Sequence, residues 1–184
     1  TFLVNHSARQ SEGQAQILSA FELLWAEGLQ INLVIIDQQT NEKPGIFQRI
    51  LGSLKKKNQR LYWLNNPAED FSEAVYTAAS CLLVNVDKLE EIFQLFKAAQ
   101  YTLPIMVREN SISHEVAGAH AFYFNGNSAD DLATAIKAWM ALYESGQHPA
   151  SEQLQWVTWT QGAEQLKRII LDDEWNKIMQ GGSE

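Results

Sequence analysis

A single cysteine, Cys81, stands among 184 residues, which excludes an intrachain disulfide framework. Its place in the apolar run Cys81-Leu82-Leu83-Val84 reads as a buried structural thiol, and a reducing, cytoplasmic setting is the consistent expectation. Long hydrophobic runs are missing as well: no stretch approaches the roughly 18 consecutive apolar residues of a membrane-spanning helix. The opening Thr1-Phe2-Leu3-Val4 has neither an initiator Met nor the basic-then-apolar order of a signal peptide, and is read as the start of a domain cut from a longer protein. Positive charge is scarce. With 14 Lys and Arg against 22 Asp and Glu the formal net charge is -8, so most of the surface repels a polyphosphate backbone and nucleic acid is not an expected partner. The one basic run, Lys55-Lys56-Lys57 with Arg60, is placed at the end of a helix, where cations complement the macrodipole.

Several chemical signatures are also absent. The ten glycines include no pair at the spacing of a dinucleotide fingerprint, and no Gly-Lys-Ser/Thr triplet marks a P-loop. There is no Gly-x-Ser-x-Gly elbow for a hydrolase, and a cysteine inside a strand is badly placed for a nucleophile. His114 and His120 are six apart, not at the i, i+4 spacing of metal ligands on one helical face, so no metal is expected. Glu90 and Glu91, adjacent on a helix, diverge by about 100° and cannot converge on one substrate atom.

What is present is a regular alternation of short apolar runs with longer helical patterns, the sequence form of βα units around a parallel sheet. Phe2 to Asn5 is a strand, and Ile17, Leu18, Phe21, Leu24 and Trp25 recur at helical spacing until Gly28 stops them. The run Ile31 to Ile36 is continuous enough for a central strand covered on both faces, ending at Asp37. A helix at 44–56, a strand at 60–64, a helix at 71–79, a strand at 81–86, a helix at 89–100 and strands at 103–107 and 121–124 follow. Asn125-Gly126-Asn127 is a turn signal, and Ser128 with Asp131 resembles a capping box for a helix carrying Leu132, Ile136, Trp139, Met140 and Tyr143. The expected fold is α/β, a Rossmann-like doubly wound parallel sheet of about six strands with helices on both faces, over residues 1–146. Residues 147–184, with Trp156, Trp159, Leu166 and Ile170, are expected as a helical extension that packs on this domain or on a neighbouring one.

In order along nearly the whole chain, Ala20-Phe21-Glu22-Leu23-Leu24, Asn32-Leu33-Val34-Ile35-Ile36, Tyr76-Thr77-Ala78-Ala79, Ala98-Ala99-Gln100 with Leu103-Pro104-Ile105, Glu115-Val116-Ala117-Gly118 and Ser128-Ala129-Asp130-Asp131-Leu132 carry a resemblance. They resemble the C-terminal, nucleotide-sugar-binding domain of family four glycosyltransferases of the GT-B fold. That family holds the donor diphosphate with a Gly-rich turn after the first strand and an Arg and a Lys before the first helix. Here those positions fall on His6-Ser7 and Ser11-Glu12. Its pair of glutamates falls on Leu89 and Lys97, with the glycines between them at Glu90 and Ile92. Loss of the two cations alone weakens diphosphate binding by about 3 to 6 kcal/mol, on the order of a hundred- to ten-thousand-fold.

The resemblance therefore implies a donor-type domain whose usual residues are replaced, acting as a scaffold beside the other domains of a larger transferase and needing no cofactor. Two alternatives stand beside it. One is an active domain that binds a UDP- or GDP-sugar through a shifted set, Arg9, Glu12, Arg108, Asn110 and Glu115, at the carboxyl ends of the strands. The other is a protein-interaction module without nucleotide, suggested by the Trp-bearing tail and the acidic surface.

Overall fold

The computed structural model describes residues 1–6, 12–37, 59–85 and 89–154, with Gly52 and the short stretches 163–164 and 167–168; for His6, Glu12 and residues 89–92 it describes the backbone alone. The chain divides into two units, Thr1–Leu154 and Gln155–Glu184. Apart from Gly52, the helix expected at 44–56 lies outside the described residues, as do the basic run at 55–57 and the tryptophans of the tail.

In the first unit the elements run β1 (Phe2–His6), α1 (Glu12–Ala26), β2 (Leu33–Asp37), β3 (Leu61–Asn65), α2 (Glu69–Ala78), β4 (Cys81–Val84), α3 (Leu89–Gln100), β5 (Ile105–Arg108), α4 (Ser111–Ala117), β6 (Phe122–Phe124) and α5 (Ala129–Glu144), with a short 3₁₀ turn at Ser151–Gln153. The strands form one six-stranded sheet in the order β3-β2-β1-β4-β5-β6, and every pairing is parallel. This is the doubly wound arrangement expected from the alternation of apolar runs, with the reversal of strand order between β1 and β4.

Because successive side chains of a strand point to opposite faces, the continuous apolar runs feed two cores at once. Phe2, Val4, Leu33, Ile35, Cys81, Leu83, Met106 and Phe124 meet Leu18, Phe21 and Leu24 of α1 and Leu132, Ile136 and Trp139 of α5 on one face. Leu3, Ile36, Leu82, Val84, Ile105 and Val107 meet Tyr76, Leu95, Ala98 and Ala99 of α2 and α3 on the other. Buried aliphatic and aromatic side chains of this size each contribute roughly 1.5 to 3 kcal/mol, so burial on both faces stabilises the sheet.

Helix ends follow the expected chemistry. Ser128 and Asp131 close a reciprocal capping box on α5, each side chain bonded to the other's backbone N–H. Gly28 leaves α1 at a φ of 91°, a left-handed turn that suits glycine. Trp25, at the end of α1, donates its indole N–H to the Ile31 carbonyl at 2.8 Å and so fixes the approach to β2. One helix is absent from the sequence pattern: α4, over Ser111–Ala117, has too few residues to show an apolar period. Its start is set by Asn110, whose Oδ1 accepts from the Ser113 N–H at 2.8 Å while Ser113 Oγ accepts from the Asn110 N–H at 3.0 Å.

Candidate functional site

Strand alternation decides which side chains gather at the carboxyl edge of the sheet. Leu83 and Met106 face α1, so Asn85 and Arg108, each two residues further along, come out on that same side. Asn5 follows Leu3 to the opposite face, where its Nδ2 donates to the Tyr76 hydroxyl at 3.1 Å. Asp37 continues Leu33 and Ile35 toward α1, is buried, and accepts from Trp63 Nε1 at 3.3 Å.

At the reversal point the side chains interlock. Arg108 Nε donates to Asn85 Oδ1 at 2.6 Å, its Nη2 to Gln16 Oε1 at 2.6 Å, and its Nη1 to Asn127 Oδ1 at 3.1 Å. Asn85 Nδ2 donates to the Gly13 carbonyl at 2.7 Å and to Gln16 Oε1 at 3.0 Å. Gln16 Nε2 in turn donates to the Ser128 carbonyl at 2.7 Å and the Gly126 carbonyl at 3.3 Å. The guanidinium also lies over the Phe124 ring, 5.6 Å from its centroid. Arg108 is thus turned inward, with acceptors supplied by α1, the end of β4 and the loop before α5. Gly13 is seated against the same Asn85: a Cβ there would stand 2.2 Å from the Asn85 carbonyl oxygen.

Beside this network, past the ends of β5 and β6, Glu109 accepts from His114 Nε2 at 3.0 Å and from Asn125 Nδ2. Those two hydrogen bonds hold its carboxyl below the usual glutamate range. The His114 ring stacks on Tyr123 with centroids 4.0 Å apart, and the Tyr123 hydroxyl donates to the Gly118 carbonyl at 2.7 Å. His120 is directed elsewhere, with Nδ1 3.2 Å from the Ala150 carbonyl. Among the described residues no group of three or more His, Cys, Asp or Glu side chains is placed to hold a metal ion.

Of the residues singled out from sequence, Arg108 sits at the centre of the hydrogen-bonded circuit, Asn110 caps α4, and Glu115 is exposed on α4. Glu12 opens α1, and Arg9 lies outside the described residues. Asn85 and Gln16 carry no sequence signature, since apart from the 23 between Asn85 and Arg108 they stand 69 to 112 positions from their partners, and Asn127, read as part of a turn, is 19 positions from Arg108.

No family model matches the chain. The serotype-specific mannosyltransferase WbdA of Escherichia coli is 35% identical over 170 residues, which cover 92% of this chain and 21% of that relative. The chain thus spans about a fifth of the length of the curated relatives it matches. Among solved structures, HepE of Anabaena in complex with UDP and glucose superposes with a TM-score of 0.62 at 15% identity, over 84% of this chain and 42% of that one. A UDP-forming trehalose-phosphate synthase from Burkholderia xenovorans gives 0.59 at 16% identity, over 79% and 38% of the two chains. A glycosyltransferase from Rickettsia africae gives 0.59 at 12%, over 79% and 41%. By fold the chain is a Rossmann-like α/β domain with the parallel sheet that superposes on these glycosyltransferase structures, and by sequence it is related to a segment of the mannosyltransferase WbdA.

Proposed function

We propose that this chain is a donor-type domain of a larger mannosyl-transferring enzyme, in which it no longer holds a donor diphosphate and serves as a scaffold for neighbouring domains. The observation that carries the reading is the inward turn of Arg108. Among the described residues of the first unit it is the Lys or Arg at the carboxyl edge of the sheet, and Asn85, Gln16 and Asn127 take its hydrogen bonds. A phosphate recruited to this edge has to displace charge-assisted bonds already made. The positions that bear the diphosphate-binding pair in family four are Ser11 and Glu12, which supply no cation and add an acidic group. WbdA is a mannosyltransferase, and a segment about a fifth of its length with Ser11 and Glu12 at the diphosphate-binding positions fits a supporting part of such an enzyme.

Calorimetric titration of the folded chain with UDP, GDP and their sugar conjugates tests this. The expected result is no detectable heat at millimolar ligand. Micromolar binding overturns the scaffold reading in favour of the shifted set built on Arg9, Glu12, Arg108, Asn110 and Glu115; alanine at Arg108 then abolishes the heat.

A further inference from the structure

We propose that Arg108, Gln16 and Asn85 form an intramolecular latch that holds the first turn of α1 shut on the end of β4, closing the crevice where the strand order reverses. Open α/β sheets present their ligand sites at that crevice, so whatever fixes its two walls controls access to it. One wall is the start of α1, which follows β1; the other is Asn85, directly after β4.

Two observations of different kinds show the walls in contact. The first is packing. The main chain of α1 at Gly13 lies so close to Asn85 that an added Cβ would meet the Asn85 carbonyl oxygen at 2.2 Å and its Cγ at 3.2 Å. The second is hydrogen bonding. Asn85 crosses to α1 through Nδ2, at 2.7 Å from the Gly13 carbonyl and 3.0 Å from Gln16 Oε1, while its Oδ1 receives Arg108 Nε at 2.6 Å. Arg108 Nη2 closes the circuit on Gln16 at 2.6 Å, so each of the three side chains bonds to both of the others.

Asn127 and the Ser128 carbonyl extend the circuit to the turn before α5, taking Arg108 Nη1 at 3.1 Å and Gln16 Nε2 at 2.7 Å. The planar guanidinium is what permits this. Its donors sit on three nitrogens spread across one plane and so reach acceptors that stand apart, whereas the three donors of a lysine ammonium share a single nitrogen and serve only acceptors gathered about one point. Asn85 is 4% exposed and Gln16 and Arg108 are half-buried, so the latch runs from the buried end of β4 to the surface and pairs the polar atoms of the crevice wall with one another. The latch stands whether or not the domain binds a nucleotide. A positive titration overturns the scaffold reading and leaves these contacts in the ligand-free domain as they are.

Hydrogen exchange followed by mass spectrometry on the wild type, Arg108→Lys and Gln16→Ala separates a latch from ordinary packing. Opening the first turn of α1 breaks the helical bonds made by the amides of Gln16 to Leu18 and loosens the amides of Asp131 and Leu132 after the turn. Both variants are expected to exchange about tenfold faster or more at those amides, with β1 and β2 unchanged. Arg108→Lys is expected to resemble Gln16→Ala although it keeps the charge. Wild-type exchange at those amides in both variants overturns the latch, as does an even rise across the whole sheet. If Arg108→Lys fails to fold, Gln16→Ala alone gives the same reading.

Discussion

Trp139 packs edge-on against Phe2, ring centroids 5.1 Å apart, and its buried indole N–H finds no acceptor. The pair joins α5 to the central strand, and the Trp139 ring continues outward in a stack on Tyr143 at 4.9 Å. An orphaned donor in a core costs about 1 to 3 kcal/mol. Trp139→Phe removes that cost while keeping most of the ring, whereas Trp139→Ala leaves a cavity costing about 3 to 5 kcal/mol. Urea midpoints at constant slope are expected to put the Phe variant within about 1.5 kcal/mol of the wild type. Equal losses for the two variants would remove the orphaned donor from the account.

Gly13→Ala forces a methyl group onto the main-chain carbonyl of Asn85, which cannot swing aside as a side-chain tip can. Overpacking of this kind costs about 1 to 3 kcal/mol, and the backbone partner places this case at the upper end. A fall in Tm of roughly 6 to 12 °C is expected for a chain of this size. A neutral substitution would mean that α1 and the end of β4 sit far enough apart to admit a methyl group.

Asp131 is held below the ordinary aspartate pKa of 3.8, first by the Ser128 hydroxyl and then by the Ser128 backbone N–H. A depressed carboxyl contributes stability that is fully present above the unfolded pKa and lost as pH falls through the lower folded value. Asp131→Asn preserves an acceptor for the capping box but removes this dependence and the favourable charge at the start of α5. Thermal unfolding should therefore show the variant below the wild type at neutral pH and the difference closing below about pH 4. Glu109, depressed by other partners, titrates in both proteins and cancels from the comparison. A difference that persists unchanged to about pH 2 argues for a cap contribution independent of charge.

Much of this architecture was legible because it rests on local chemistry. The Ser128 and Asp131 box, the glycine exit of α1 at Gly28 and the helix over Leu89–Gln100 follow from caps, turns and periodicity that lie within a few residues of one another. The helix at Ser111–Ala117 was not, since Ser113 takes the place of the usual Glu or Gln in its box and the element is too short to show a face. The site divides the same way. Arg108 is visible as a cation at a strand end, but its partners are defined by the parallel register Leu82↔Ile105 and Phe2↔Cys81, which no local pattern records.

The strand order has a consequence for how the domain can be taken apart. All contacts of β3-β2-β1 with β4-β5-β6 within the sheet run along one seam, where the paired positions are Phe2↔Cys81 and Leu3↔Leu82. A nick in the connection between β3 and β4, near Asn66 and Pro67, leaves each fragment with three consecutive strands of the sheet. Two such pieces can recognise each other through α1 against α5 and through the Arg108 circuit. The fold is thus laid out as a pair of complementary halves, suited to reconstitution from separately made fragments.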